Sequence, residues 1–75
     1  MPKMPRVSSR EAIRALERLG FEQVRQTGSH VAMKKEIEEG EIGCVVPVHR
    51  ELKAGTLSGI LKQARVRSEE FIKSL

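Results

Sequence analysis

The sequence predicts a two-layer α+β fold, in which a three-stranded antiparallel sheet carries its helices on one face. Apolar residues recur at helical spacing near both ends of the chain, at positions 12–19 and 57–64. Between them, short segments with apolar and polar residues interspersed are separated by turns that contain glycine. Helices that are segregated from consecutive hairpin strands are typical of the α+β class.

The first helix is predicted to begin at a capping box formed by Ser8 and Glu11. In this motif each side chain accepts a hydrogen bond from a backbone N–H group that the first helical turn leaves free. The apolar stripe of residues 12–19 then marks the face that packs on the core. Gly20 is suited to the left-handed conformation that often ends a helix.

Three strands are predicted in the middle of the chain, over residues 21–26, 30–35 and 42–46. In the second strand Val31 and Met33 share one face, so His30 has the opposite orientation. Pro47 ends the third strand because proline cannot donate a ladder hydrogen bond. The glutamate-rich residues 36–41 are predicted to form a solvated loop between strands two and three.

A second helix is predicted from Thr56 as its N-cap, and a short terminal helix from Ser68 as N-cap. A chain of 75 residues can bury only one small core, so residues 1–75 are expected to form a single domain. Residues 1–7 are expected to be a flexible N-terminal tail of that domain.

The composition indicates a folded protein with a basic surface. The chain is 39% hydrophobic and 32% charged, with a formal net charge of +4. It contains no apolar run of the roughly 20 residues that span a bilayer, and its N-terminus lacks a signal-peptide pattern. We therefore expect a cytoplasmic protein that does not contact membranes. The positive charge favours polyanionic partners, although ordinary solubility explains it equally well.

Metal and cofactor sites are not expected. The chain contains no aspartate, and its two histidines, His30 and His49, lack the spacing of a zinc site. It also lacks the glycine-rich loop that binds nucleotide phosphates, so no small-molecule cofactor is predicted. Cys44 shares strand parity with apolar neighbours and is expected to be a buried, inert thiol.

His30 is the strongest candidate for a catalytic group. Histidine exchanges protons in both directions near neutral pH, and the 2′-hydroxyl of RNA is an internal nucleophile that needs only a base and nearby cations. His30 follows a Gly-Ser turn and opens a strand on the exposed face or rim of the sheet. By position alone, an incidental surface histidine is the favoured interpretation.

Several spaced motifs stand out along the chain: Gly20-Phe21, Val24–His30, Val46–His49, Leu52–Leu57 and Ile60–Ala64. Together they resemble the HicA family of bacterial toxins, which are messenger-RNA endonucleases. The resemblance extends from about Ser9 to Phe71. It implies a fold like the double-stranded-RNA-binding domain, with His30 as the catalytic residue. It also implies a HicB-like antitoxin that binds the toxin and blocks its active site.

Candidate RNA-binding residues are Arg25, Ser29, Lys34, His49 and Lys53. Arg25 and Lys34 are the cations nearest to His30 along the strands. His49 can meet His30 if strands two and three are neighbours, although a turn or helix-entry residue is the slightly favoured interpretation of His49. Two other functions stay open: a noncatalytic RNA-binding module, and a small interaction protein whose basic surface meets an acidic partner.

Overall fold

The computed structural model describes residues 4–75 and has the predicted α+β architecture. Its elements, in chain order, are α1 (Ser9–Arg18), β1 (Glu22–Thr27), β2 (His30–Ile37), β3 (Gly40–Pro47), α2 (Ala54–Ala64) and α3 (Ser68–Lys73). The fold class is confirmed, as is the short terminal helix. The order of the first five elements agrees with a fold like the double-stranded-RNA-binding domain.

Helix α1 begins and ends as the sequence predicts. The Ser8 hydroxyl accepts a hydrogen bond from the Glu11 N–H at 3.1 Å, and the Glu11 carboxylate accepts one from the Ser8 N–H at 2.9 Å. These two bonds form the capping box and satisfy donors that the helix itself leaves free. Gly20 adopts a φ of +101° just after the helix, a conformation that glycine tolerates best.

The sheet is antiparallel with strand order β1-β2-β3, so β2 is the central strand. Val31 pairs with Val46 and Met33 pairs with Cys44, and all four side chains are buried under α1 and α2. The opposite face of the sheet is open to solvent. Strand alternation therefore places His30 on the open face, as its parity in the sequence predicts.

The predicted six-residue loop between strands two and three is wrong. β2 continues to Ile37 and β3 begins at Gly40, which leaves a turn of only two residues. The glutamates Glu36 and Glu41 lie in the strands and face each other across the ladder. Their charge suggested a loop, but both keep exposed positions in a regular hairpin. Gly40, the first residue after the turn, adopts a φ of +138°, a conformation that glycine tolerates best.

The predicted N-caps of the later helices are displaced by one or more residues. α2 begins at Ala54 with Lys53 as its N-cap, and not at Thr56. The last helix uses Arg67 as its N-cap instead of Ser68, and the Glu70 carboxylate accepts a hydrogen bond from the Arg67 N–H. Lys53 forms no side-chain cap hydrogen bond. Packing of the apolar side of α2 on the core therefore determines where that helix begins.

The predicted flexible tail does not extend to residue 7. Val7 is buried, and its carbonyl oxygen accepts a hydrogen bond from the Leu52 N–H at 2.8 Å. Val7 therefore belongs to the core, and it fixes the chain that enters α2. Residues 1–3, which were assigned to the same tail, lie outside the described residues.

Candidate functional site

The site is built on the two-residue turn between β1 and β2. Thr27 and His30 pair across the hairpin, so Gly28 and Ser29 form the turn itself. Gly28 has a φ of +53°, in the left-handed region that side chains with a β-carbon rarely adopt. A positive φ at the first central position is typical of tight hairpin turns that match the strand twist. The glycine of the Gly-Ser-His sequence is thus explained by backbone geometry.

His30 is exposed at the start of β2, and its orientation is restrained by the preceding residue. The Ser29 hydroxyl lies 3.2 Å from Nδ1 of His30. When the hydroxyl donates this hydrogen bond, Nε2 of the neutral ring carries the proton, and when the hydroxyl accepts one from Nδ1–H, Nε2 is the unprotonated nitrogen. The ring nitrogen that is free to meet a substrate is then Nε2.

A buried serine on α1 holds the chain segment that faces His30. The Ser9 side chain accepts a hydrogen bond from the His49 N–H at 2.6 Å and lies 2.5 Å from the carbonyl oxygen of Pro47, to which it donates. The Ser9 N–H also donates to the His49 carbonyl at 3.1 Å. Ser9 is the buried polar residue of the described chain, so this cluster anchors residues 47–49 to α1 inside the fold.

The anchored segment in turn holds the turn before His30. The Val48 N–H donates a hydrogen bond to the Ser29 carbonyl oxygen at 2.7 Å, just beyond the point where His30 pairs with Pro47. A continuous path of hydrogen bonds therefore leads from Ser9 through residues 47–49 to Ser29. This path fixes the backbone at the base of the His30 side chain.

Among the predicted cations, Arg25 is the one that the sheet brings near His30. Arg25 pairs with Ala32, and Thr27 pairs with His30, so Arg25 is a diagonal neighbour of His30 across β1 and β2. Long side chains at such diagonal positions are within reach of each other. Val24 forms a bulge just before Arg25, which locally shifts the strand register.

Lys34 is farther from His30 and is engaged by a carboxylate. It lies four residues along β2 from His30, or about 13 Å in an extended strand. Its ammonium group forms an ion pair with Glu41, and this hydrogen-bonded partner raises the pKa of Lys34. The structure therefore does not bring Lys34 and His30 together, and Glu41 partly compensates the charge of Lys34.

His49 and Lys53 lie on the chain that leaves the same end of the sheet. His49 is exposed, two residues beyond the Pro47 that faces His30. The hydrogen bonds formed within residues 4–75 fix the backbone of His49 and do not join its ring to His30. The strands are neighbours as expected, but no hydrogen bond joins the two imidazoles in the part of the chain that the structure describes.

A comparison with known protein families shows which family the chain belongs to. Residues 9–66 match the family described as HicA toxin of bacterial toxin-antitoxin, over more than half of the chain. The chain belongs to the HicA family. The resemblance of the sequence motifs to that family is thereby confirmed. A comparison with curated proteins yields no match to this chain.

Membership of the HicA family makes this protein the toxin component of a toxin–antitoxin system, which implies an antitoxin partner. The match contains the complete path from Ser9 to His30, together with Arg25, His49 and Lys53. Within residues 4–75, no helix has the length and hydrophobicity needed to cross a membrane.

Cys44 lies on the buried face of the sheet, opposite to the face that carries His30. Its side chain faces the helices beside Met33, and burial raises the pKa of its thiol to about 11. The buried position predicted for Cys44 is confirmed. Within residues 4–75, no three histidine, cysteine, aspartate or glutamate side chains converge in the way that a metal ion requires.

The anchoring role of Ser9 was not predicted from the sequence. The overlooked signal is its position on the helix. Ser9 lies three residues before Ala12 and seven before Leu16, so it continues the buried stripe of α1. A polar side chain on such a stripe needs a buried partner, but the sequence gives no indication that this partner is the segment 40 residues away.

Ser9→Ala is expected to lower the free energy of unfolding by about 2 kcal/mol. The substitution leaves the His49 N–H and the Pro47 carbonyl without a buried partner, and each such group costs about 1–3 kcal/mol. Urea denaturation of both proteins measures the difference. Ser58→Ala, on α2, is the matched control and should change the stability little. A loss below about 0.5 kcal/mol for Ser9→Ala would contradict the anchoring role.

Proposed function

We propose that this HicA toxin is a metal-independent endoribonuclease that cleaves mRNA, with His30 as its catalytic residue. The observation that carries this proposal is the placement of His30 at the rim of the open sheet face. Its ring is exposed, its Nδ1 is engaged by Ser29, and its backbone is held by a hydrogen-bonded path from the core. An exposed imidazole with one restrained nitrogen is suited to proton transfer with a large substrate.

The proposed reaction is an internal transesterification. The 2′-oxygen of one nucleotide bonds to the adjacent phosphorus while the bond from phosphorus to the 5′-oxygen of the next nucleotide breaks. The 2′-hydroxyl loses its proton and the departing 5′-oxygen gains one. The upstream fragment then ends in a 2′,3′-cyclic phosphate, and the downstream fragment begins with a 5′-hydroxyl. His30 serves as the base for the first proton transfer or as the acid for the second.

Negative charge that develops on the phosphate needs a nearby cation. Arg25 is proposed for this role because it is the diagonal neighbour of His30 and its guanidinium group suits a phosphate. Ser29, Lys34, His49 and Lys53 are proposed as further RNA contacts. Lys34 is the weakest of these, since Glu41 already compensates its charge.

The proposed antitoxin is a HicB-like protein that covers the face carrying His30. Such binding would exclude RNA from the site, which is a direct way to neutralise a nuclease. The proposed place of action is the cytoplasm, where mRNA is present.

The deciding experiment compares an RNA with its DNA equivalent. Purified protein is incubated with each substrate in excess chelator, and the fragment ends are identified. We expect cleavage of RNA only, with 2′,3′-cyclic phosphate ends, because DNA lacks the attacking hydroxyl. Cleavage of both substrates, or cleavage only when metal is restored, would disprove the mechanism. RNA that is bound but not cut would instead support a noncatalytic RNA-binding module.

A further inference from the structure

A groove of about 560 Å³ lies between α1 and the edge strand β1, on the side of the sheet opposite to the open face. Its accessible apolar surface comes from Ile13 and Val48, and the buried Val31 also lines it. Gln23 and Gln26 contribute their side chains from β1. This volume is within the range of sites that hold small organic molecules.

The groove reaches the end of the sheet at which His30 lies. Val31 directly follows His30 in β2, and the Val48 N–H donates to the Ser29 carbonyl at 2.7 Å. Val31 is therefore bonded directly to His30, and Val48 is hydrogen-bonded to the turn before it. A polynucleotide bound at His30 needs to pass only around the hairpin turn to enter the groove.

The rim of the groove on α1 is positively charged. Arg10 and Arg14 are exposed and one helical turn apart, so they lie on the same side of α1. The ion pairs formed within residues 4–75 use Lys34 and Arg67, so neither rim arginine is engaged in one. Guanidinium groups bind phosphate oxygens through paired hydrogen bonds.

The far end of the groove is closed by a polar contact. The Gln23 side chain donates a hydrogen bond to the Glu17 carboxylate at 3.3 Å. This contact restrains the Gln23 amide, and the negative charge of Glu17 disfavours a phosphate at that end. The end near His30 carries no such carboxylate among the residues that line it. The charge distribution therefore directs an anionic chain from His30 towards Arg10 and Arg14.

We propose that this groove is a nucleotide subsite for the RNA residue next to the cleavage position. The base lies against Ile13 and Val48, an amide of Gln26 meets its hydrogen-bonding edge, and Arg10 and Arg14 hold a flanking phosphate. Glutamine amides are suited to base edges because they combine a donor with an acceptor. The subsite rests on the proposed function, since it takes its RNA from the site at His30.

The test uses the full chain with His30→Ala, so that RNA is not consumed. Binding of a fluorescent RNA hexamer is measured over a range of salt concentrations, for this protein and for a version that also carries Arg10→Gln and Arg14→Gln. We expect the affinity to fall about 10-fold or more, and the slope of log affinity against log salt to decrease in magnitude by about 0.7, the value for one phosphate on a single strand. The matched control carries Lys62→Gln and Lys73→Gln, which remove the same charge from α2 and α3 and should change the affinity less than about twofold.

Amide chemical shifts locate the bound RNA independently. We expect the hexamer to shift the signals of Gln23, Gln26 and Val48 together, and Gln26→Ala to change the preference among the four bases. Shifts confined to the open sheet face, or equal losses in the groove and control variants, would overturn the subsite. If the wild-type protein cleaves RNA and the groove variants cleave it equally well, the subsite fails and the nuclease proposal stands. If RNA binds in the groove but the wild-type protein does not cleave it, the groove stands as an RNA-binding site and the nuclease proposal fails.

Discussion

His30→Ala is expected to lower the rate of RNA cleavage by about 10²- to 10⁴-fold, the usual contribution of a general acid or base. The fold should persist, because the His30 side chain is exposed and its backbone pairs with Thr27 and Pro47 independently of the ring. Single-turnover cleavage of an RNA substrate measures the rate, and urea denaturation measures the stability. A folded variant that cuts at the wild-type rate would remove His30 from the mechanism.

His49→Ala provides the comparison that separates catalysis from binding. His49 is also an exposed imidazole at this end of the sheet, and its backbone is held by Ser9. If it only contacts RNA, its loss should raise KM and leave kcat within about threefold of the wild type, since a uniform binding contact does not act on the chemical step. Equal losses of kcat in both variants would show that the two histidines act as a pair, and the single-histidine mechanism would be wrong.

The part of the site that lies within one hairpin was predictable from the sequence. The alternation of Val31 and Met33 with polar residues placed His30 on the open face, and the Gly-Ser pair indicated the tight turn. Both features depend on neighbours only a few residues apart. Strand alternation and turn geometry are local properties, so they can be read from local sequence.

The parts that were missed depend on contacts between distant segments. Ser9 meets residues 47–49 across about half the chain, and the groove forms only when α1 lies beside β1. Similarly, Val7 is buried because Leu52 lies opposite it, although nothing in the first seven residues indicates such a partner. The start of α2 at Ala54 is also a tertiary effect, since Lys53 offers no side-chain cap. Local propensity of the residues does not predict which distant segments will contact each other.

Phe71→Ala is expected to lower the free energy of unfolding by about 3–5 kcal/mol, the usual cost of removing a buried phenylalanine side chain. Phe71 is fully buried although it lies in the short helix α3, which packs on both α1 and α2. A chain of 75 residues has a total stability of roughly 4–11 kcal/mol, so the substitution removes a large share of it. Circular dichroism during urea denaturation measures the effect, with the exposed Leu75→Ala as the control. A change below about 1 kcal/mol would show that α3 is peripheral.

Helix α3 lies outside the residues that match the HicA family. The match ends at residue 66, before Phe71 in α3. It also ends before Ser74, whose carbonyl oxygen accepts a hydrogen bond from the Arg18 guanidinium of α1. A chain that ends at residue 66 keeps His30, Ser9 and the residues of the groove, yet it loses the fully buried Phe71 and the helix that contacts both α1 and α2. We expect such a chain to unfold and therefore to lose cleavage together with structure. Such a result would mean that the functional unit is larger than the segment that carries the family motifs, because the site would then depend on an α1 that α3 holds in place.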